Sequence, residues 1–342
     1  MANHILYTVF ARPQWPTPVR RTAYLQEGGC SEAISSPRSP QSQAPLRRLF
    51  FFIFVASMSL FLFSCAEPVD SDLPDGPQIP SIDSDSNISI VTWNIENFPQ
   101  LGSRTTDRVE LIMDSLDADF YCLQEIQDKG ALEDIVDNLN RYSVIISDET
   151  SFMHLAIVYK QDSFLPVFTE SLFARDDYNF ASRPPLLVSF LYEYGGREQT
   201  LNIIDVHMKC CNDGVERRHQ ASAMLNDYLS NKMAWGDSNF VISGDWNDDI
   251  YDPDNSGQYS FEAFLDDDSF RFVTDSLAAT GAAKDASYPS YGSLIDNILI
   301  SRSLFDEEKH STVSTIRLDE VFGDYGSAVS DHRPVVWSFK PQ

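Results

Sequence analysis

Positive charge is scarce in this chain of 342 residues: 25 lysines and arginines stand against 51 aspartates and glutamates, for a formal net charge of −26. Six of those arginines precede residue 66, where only Glu27 and Glu32 oppose them, so the remainder stands near −30. No basic tract is left to grip a polyanion, which counts against tight, salt-driven nucleic-acid binding. An acidic enzyme still turns over a phosphodiester when divalent cations screen the encounter. No apolar run reaches the roughly 20 residues that a bilayer requires, and no internal repeat with a solenoid period occurs. What is present is 43% hydrophobic and 12% aromatic content, enough for one large core or two modest ones.

The N-terminal region carries the compartment signal. Two arginines, Arg47 and Arg48, precede an apolar run from Leu49 to Phe63, and Ser64 and Cys65 follow. The run reads as the apolar region of an export signal. Leu62-Phe63-Ser64-Cys65 resembles the lipobox of bacterial lipoproteins, which implies lipidation of Cys65 and attachment to a cell-envelope membrane. The alternative is a plain secretory signal or an uncleaved anchor, with Cys65 incidental. Residues 1–45, rich in Pro, Ser, Gln and Arg, are expected to be a disordered extension or a product of start-site choice. Residues 66–87 are acidic, Pro-rich and aperiodic, and are expected to form a solvated linker.

From Ile88 onward short apolar runs alternate with helical patterns. Strands are expected at 88–93, 120–123, 154–159, 186–192, 201–206, 240–243, 293–300 and 334–339. Helices are expected at 106–116, 131–139 and 216–232, the first with Val109, Ile112, Met113 and Leu116 on one face. Strands outnumber helices, and the runs at 154–159 and 186–192 have no helix between them. The pattern argues for a mixed α/β sandwich with antiparallel pairing, occupying 88–340.

Polar residues gather at the strand ends. TWNIENF presents Asn94 and Glu96, CLQEI presents Glu125, DVHMK presents His207, GDWND presents Asp245 and Asn247, LIDNILIS carries Asp296, and SDHRPV brings Asp331 and His332 to the last strand. Strand ends of a sandwich converge on one rim, where these groups share a site. In this collinear order, from about Ile88 to Phe339, the stretches resemble the endonuclease/exonuclease/phosphatase superfamily. The resemblance implies a four-layer αββα sandwich of two mixed, largely antiparallel sheets flanked by helices, and hydrolysis of phosphoric esters with Mg²⁺, or with Mn²⁺ or Ca²⁺ in its place.

The resemblance also distributes roles. Glu125 is the principal metal ligand, a hard oxygen donor suited to Mg²⁺, supported by Glu96 and Asp331. Asp245 and Asn247 position the attacking water and bind phosphate or a second metal. His332 is the acid/base group, since imidazole titrates near neutrality, and Asp296 rather than Asp331 fixes its tautomer; whether Asp245 or His332 takes the proton of water is left open. His207 hydrogen-bonds the phosphate, Asn94 donates to the phosphate or to Glu125, and Arg183 in SRPPL clamps the phosphate with its fork. Arg333 supports the turn.

Weaker signals accompany these. LIDNILIS has Asn297 where many members of the superfamily carry histidine or tyrosine. Cys210 and Cys211 follow His207 and either pair with each other, pair with Cys122, or stay reduced. DPDNSGQYSFEAF, from Asp252, places Asp252, Asp254, Ser256 and Gly257 as a calcium loop would, but Ala263 at the twelfth position fails the template. Nucleic acid is the expected substrate, and SYPSYGSLID sets aromatics near Asp296 that either stack on bases or a sugar or belong to the core. Phospholipid or inositol-phosphate hydrolysis is the second reading and a catalytically silent surface-binding module the third. A monomer with no protein partner is expected.

Overall fold

A computed structural model describes residues 78–82, 87–148, 153–252 and 257–342. The chain divides into two units, Met1–Glu67 and Pro68–Gln342. The extension 1–45, the signal-like segment 46–65 with Cys65, most of the linker 66–87, and Asp254 and Ser256 of the calcium-like loop lie outside the described residues. Among the described residues no helix is long and apolar enough to cross a membrane.

The chain first lays down four strands, β1 (Ile88–Phe98), β2 (Phe120–Ile126), β3 (Tyr142–Ile146) and β4 (His154–Lys160). It then builds a second sheet from β5 (Leu165–Ser171), β6 (Leu186–Tyr194), β7 (Arg197–His207), β8 (Phe240–Asp245), β9 (Phe270–Phe272) and β10 (Asp296–Ser301). Finally it returns to the first sheet with β11 (Thr312–Thr315) and β12 (Val335–Phe339). The strand orders are β11-β12-β1-β2-β4-β3 and β5-β6-β7-β8-β10-β9.

Only β1 with β2, and β7 with β8, are parallel. A parallel pair requires a crossover, and helices supply it: α1 (Ser103–Leu116) after β1 and α3 (Val215–Ala234) after β7, while α2 (Lys129–Leu139) follows β2. Each sheet therefore has a parallel pair near its centre whose C-terminal ends point the same way, and antiparallel neighbours that bring their entrances to the same rim.

The layers follow from side-chain alternation. Ile90, Phe120, Cys122, Ile157, Val188, Phe190, Ile203, Val241, Ile298 and Trp337 fill the space between the sheets. Their neighbours Val91, Trp93, Tyr121 and Leu123 face outward and are covered by Val109, Ile112, Met113 and Leu116 of α1. Ile204, Val206 and Ile242 do the same beneath Ala221, Leu225 and Leu229 of α3. Because β1 is buried on both faces, apolar residues fall on both of them, Ile90 on one and Val91 and Trp93 on the other, rather than on one alone. Each large side chain so buried stabilises by roughly 1.5–3 kcal/mol. The result is the four-layer sandwich, with two mixed six-stranded sheets.

Every expected strand and helix is present, with shifted ends. The strand expected at 293–300 begins only at Asp296, because Tyr288 and Ser293 pair across a turn. Asp331 and His332 do not open the last strand but precede it by a loop. Strands β3, β5, β9 and β11 are additional. β5 is an exposed edge strand and β9 and β11 have three and four residues, so none shows a buried apolar run. Part of the expected linker is packed: Ile79 and Ile82 rest against the α1 core, and the Ile82 amide donates to the Leu116 carbonyl at 3.1 Å.

Candidate active site

Cross-strand register creates the centre of the site. Asp245 at the end of β8 pairs with His207 at the end of β7 on one side and with Asp296 at the start of β10 on the other. Gly244 makes this possible: a Cβ there would stand 2.0 Å from the Val206 carbonyl oxygen, so only glycine permits the close approach. The first sheet contributes through Asn94, whose Nδ2 donates to Asp245 Oδ2 at 3.0 Å and to Glu125 Oε1 at 3.2 Å.

Three residues of the rim, Glu96, Glu125 and Asn247, hold positive φ angles of 25°, 66° and 57°. Such conformations cost a non-glycine residue roughly 1–3 kcal/mol and cluster where function holds them. β1 and β2 lose register between Asn94 and Phe98, and β2 and β4 between Leu123 and Ile126. The bulges turn Glu96 and Glu125 out of the ladder. The Asn97 amide then donates to Glu125 Oε2 at 2.9 Å, and the Asp331 amide to Glu96 Oε2 at 3.2 Å.

The buried part is wired by hydrogen bonds. His332 Nδ1 lies 2.8 Å from Asp296 Oδ2, whereas Asp331 Oδ1 is 3.8 Å from Nε2, so Asp296 is the orienting carboxylate. Burial works against the charged imidazole, but Asp296, Asp245 and Asp331 outweigh it and push His332 up to about 10. Burial raises Asp245 to about 7, with Asp296 adding to the rise and His332 opposing it. Asp245 also accepts from the Asn247 amide at 2.9 Å and from Asn247 Nδ2 at 3.1 Å. His207 Nε2 is 3.4 Å from Asp245 Oδ2 and 3.9 Å from Glu125 Oε1. Burial first, and Arg183 second, hold His207 well below the usual imidazole range, and its Nδ1 has no protein partner.

Asn94, Glu125, His207, Asp245, Asn247, Asp296 and His332 thus meet, with Glu96 and Asp331 beside them. Arg183 is placed differently from its sequence expectation. Its Nε donates to the His207 carbonyl at 3.0 Å and its Nη2 to the Met208 carbonyl at 2.6 Å, so the fork fixes the end of β7 instead of facing outward. Its charge still reaches Asp245 and Glu125. Arg333 is structural: it pairs with both Asp319 oxygens at 2.7 and 2.6 Å and donates to the Ala283 and Ala286 carbonyls.

Sequence reading missed the groups that hold the machinery. Ser330 Oγ donates to the Asn94 carbonyl at 2.6 Å and accepts from the His332 amide at 2.9 Å. Ser287 Oγ accepts from the Ile295 and Asp296 amides at 3.0 Å each. Trp93 Nε1 donates to Tyr325 Oη at 2.9 Å, and Tyr325 Oη to the His332 carbonyl at 2.6 Å. A serine directly before Asp-His-Arg was the one local signal. Tyr288 is a further neighbour, its ring 4.9 Å from that of His332 and stacked at 5.4 Å and 10° on Tyr291.

Two acidic groups are candidates for a cation. Asp245, Asp296 and His332 have ligand atoms within 4.8 Å of one another, but the imidazole proton already compensates these carboxylates. Glu96, Glu125 and Asp331 are compensated only in part, Glu96 and Asp331 by the charge of His332 and Glu125 by that of Arg183. Glu96 is raised first by burial and then by the Asp331 charge, with Glu125 adding to it. Three oxygen donors on a half-buried rim fit a hard divalent ion that keeps several of its waters, so the second group is the better site.

The model of the endonuclease/exonuclease/phosphatase family matches residues 91–332. No curated protein matches the chain in sequence. Among solved structures, a humanized zebrafish (D. rerio) TDP2 aligns at 15% identity and a TM-score of 0.55, covering 75% of this chain and 99% of that one. The human nocturnin catalytic domain, solved with bound sulfate, aligns at 17% and 0.53, covering 74% and 93%. A mannosyl-6-phosphatase of Bacteroides thetaiotaomicron aligns at 15% and 0.51, covering 74% and 99%. At these identities the three share its fold.

Proposed function

Because the chain belongs to the endonuclease/exonuclease/phosphatase family and is a metal-dependent phosphoric ester hydrolase, we propose that it is a phosphodiesterase acting on nucleic acid. The observation that carries the substrate is the stacked Tyr288–Tyr291 pair beside His332, with Tyr291 79% exposed. An open aromatic face next to the acid/base group suits a base attached to the phosphate under attack.

Glu125, Glu96 and Asp331 would hold Mg²⁺, with Mn²⁺ or Ca²⁺ as substitutes, and the bound cation supplies positive charge against the phosphate oxygens. Asp245 accepts the proton of the attacking water: burial has lifted it to about 7, where it is a useful base near neutrality. Asn94 and Asn247 hold its oxygens in place. His332 keeps its proton because Asp296 binds Nδ1, leaving Nε2–H to neutralise the phosphate and protonate the leaving oxygen. His207, neutral through burial, donates to a phosphate oxygen. We place the enzyme outside the cytoplasm, tethered to the cell-envelope membrane through a lipidated Cys65, a reading supported by the lipobox-like Leu62–Cys65 sequence.

The test is hydrolysis by the full chain, with Mg²⁺ and with chelator, of DNA, RNA, sphingomyelin and inositol phosphates. DNA or RNA cleavage that chelator abolishes is expected. Activity confined to the lipid or inositol substrates would overturn the nucleic-acid assignment. Tyr291→Ala is expected to raise KM for a base-bearing strand by about tenfold, the loss of one base stack, and to leave an abasic strand unaffected. Partition of the protein into the detergent phase, lost in Cys65→Ser, checks the anchor.

A further inference from the structure

Adjacent cysteines stand three residues beyond His207. Cys211 Sγ donates to Cys210 Sγ across 2.8 Å, and Lys209 Nζ lies 3.6 Å from the same Cys210 sulfur. Cys211 is exposed and Cys210 half-buried. Cys211 also holds a positive φ of 71°, a conformation that a cysteine adopts only when its surroundings impose it. A thiol donor and an ammonium thus converge on one sulfur, that of Cys210. Cys122, by contrast, is sealed between the sheets and takes no part.

The segment around the pair is tied to the catalytic loop twice. The Met208 carbonyl accepts from Asn247 Nδ2 at 3.0 Å. The Lys209 and Cys211 carbonyls accept from Arg218 Nη1 at 2.7 and 3.0 Å, and Arg218 Nη2 binds Asp248 at 2.8 Å. Arg218 is 3% exposed, so a change in the Cys210–Cys211 backbone has no solvent to absorb it and passes to Asp248 and Asn247.

We propose that Cys210 and Cys211 form a reversible dithiol–disulfide couple that controls the position of the Asn247–Asp248 loop. The oxidant is a low-molecular-weight disulfide of the glutathione class. The Cys210 thiolate attacks it, releasing one small thiolate and leaving a mixed disulfide; the Cys211 thiolate then attacks Cys210 Sγ and expels the second. Two S–H bonds of the protein are lost, one S–S bond forms, and two electrons and two protons end on the two small thiols. Neighbouring Cα atoms stand about 3.8 Å apart across a trans peptide, below the roughly 4.4–6.8 Å of ordinary disulfides. The ring must therefore distort the peptide it closes, which makes it reducible and moves the carbonyls that Arg218 reads.

The experiment equilibrates the full chain in glutathione buffers of rising oxidising ratio, quenches with acid, alkylates and digests with trypsin, so that both cysteines fall in the peptide 210–217. The expected peptide is two hydrogens lighter and unalkylated at the oxidising end, and doubly alkylated again after dithiothreitol. Amide exchange at 244–250 is expected to rise about tenfold on oxidation, and not to change in Cys211→Ser. A doubly alkylated peptide at every ratio, or a glutathione adduct that never resolves, overturns the couple. A disulfide that forms without changing exchange at 244–250 overturns the control. Neither readout uses a substrate, so the outcome is independent of which ester the enzyme cleaves.

Discussion

The two halves of the active site are built on opposite electrostatic plans. Asp245, Asp296 and His332 are buried, a 2.8 Å hydrogen bond joins His332 to Asp296, and an imidazolium balances the two carboxylates from within. Glu96, Glu125 and Asp331 are half-buried, two of them sit on left-handed backbone, and the charges of His332 and Arg183 balance them only in part. A closed set can be assembled at folding and kept rigid. An open set carries repulsion until a cation arrives, so its geometry is stored in backbone bulges rather than in side-chain pairing. On the proposed mechanism, proton chemistry belongs to the first half and metal recruitment to the second.

The sharpest way to break this contrast is to remove a member of the closed half. His332→Ala or Asp245→Asn should lower kcat by about 10²–10⁴ while leaving the Mg²⁺ concentration for half-maximal rate nearly unchanged. A large shift in that concentration instead would make the Asp245–Asp296–His332 group the cation site and reverse the division. Glu125→Gln should do the opposite and raise the metal requirement at least about tenfold.

The pH profile sharpens the same division. Asp245 must be ionised to accept a proton, so kcat should rise through about 7; His332 must be protonated to donate, so kcat should fall toward about 10. Asp296→Asn removes the first of the carboxylates that hold His332 up, and should move the upper limb down by a unit or more ( gives about 1.4 kcal/mol per unit). A profile whose upper limb does not respond to this substitution would separate His332 from Asp296 in function.

The closed half was also the more legible in sequence. GDWND and SDHRPV announce their residues locally, and antiparallel pairing of β10 with β8 brings Asp296 to Asp245 by register alone. The supporting serines and Tyr325 were not legible: Ser330 serves Asn94 from 236 positions away, and no local pattern encodes a contact that distant. Arg183 shows the reverse failure. An arginine before Pro-Pro near a strand resembles a phosphate clamp, but the His207 and Met208 carbonyls that face it draw its nitrogens inward. Short strands such as β9 escaped because three residues carry too little periodicity to be read.

Stability gives the smallest effect and separates the halves without any substrate. Asp245 and His332 both have raised folded values, from 3.8 to about 7 and from 6.5 to about 10. Each therefore contributes stability that is fully present below its ordinary value and is lost as pH rises through the folded one. Metal-free protein should lose melting temperature steadily from pH 5 to pH 10. Glu96 is raised as well, chiefly by burial and the charge of Asp331, so removing a neighbouring charge should relieve it. Glu125→Gln should raise the metal-free melting temperature by about 2–4 °C, the shift that about 1 kcal/mol produces in a domain of this size. Mg²⁺ should raise the melting temperature of the unaltered protein and not of the variant. A Glu125→Gln protein that melts lower than its parent without metal would mean that the Asn97 amide hydrogen bond outweighs the repulsion, and that the open half is held together more like the closed one.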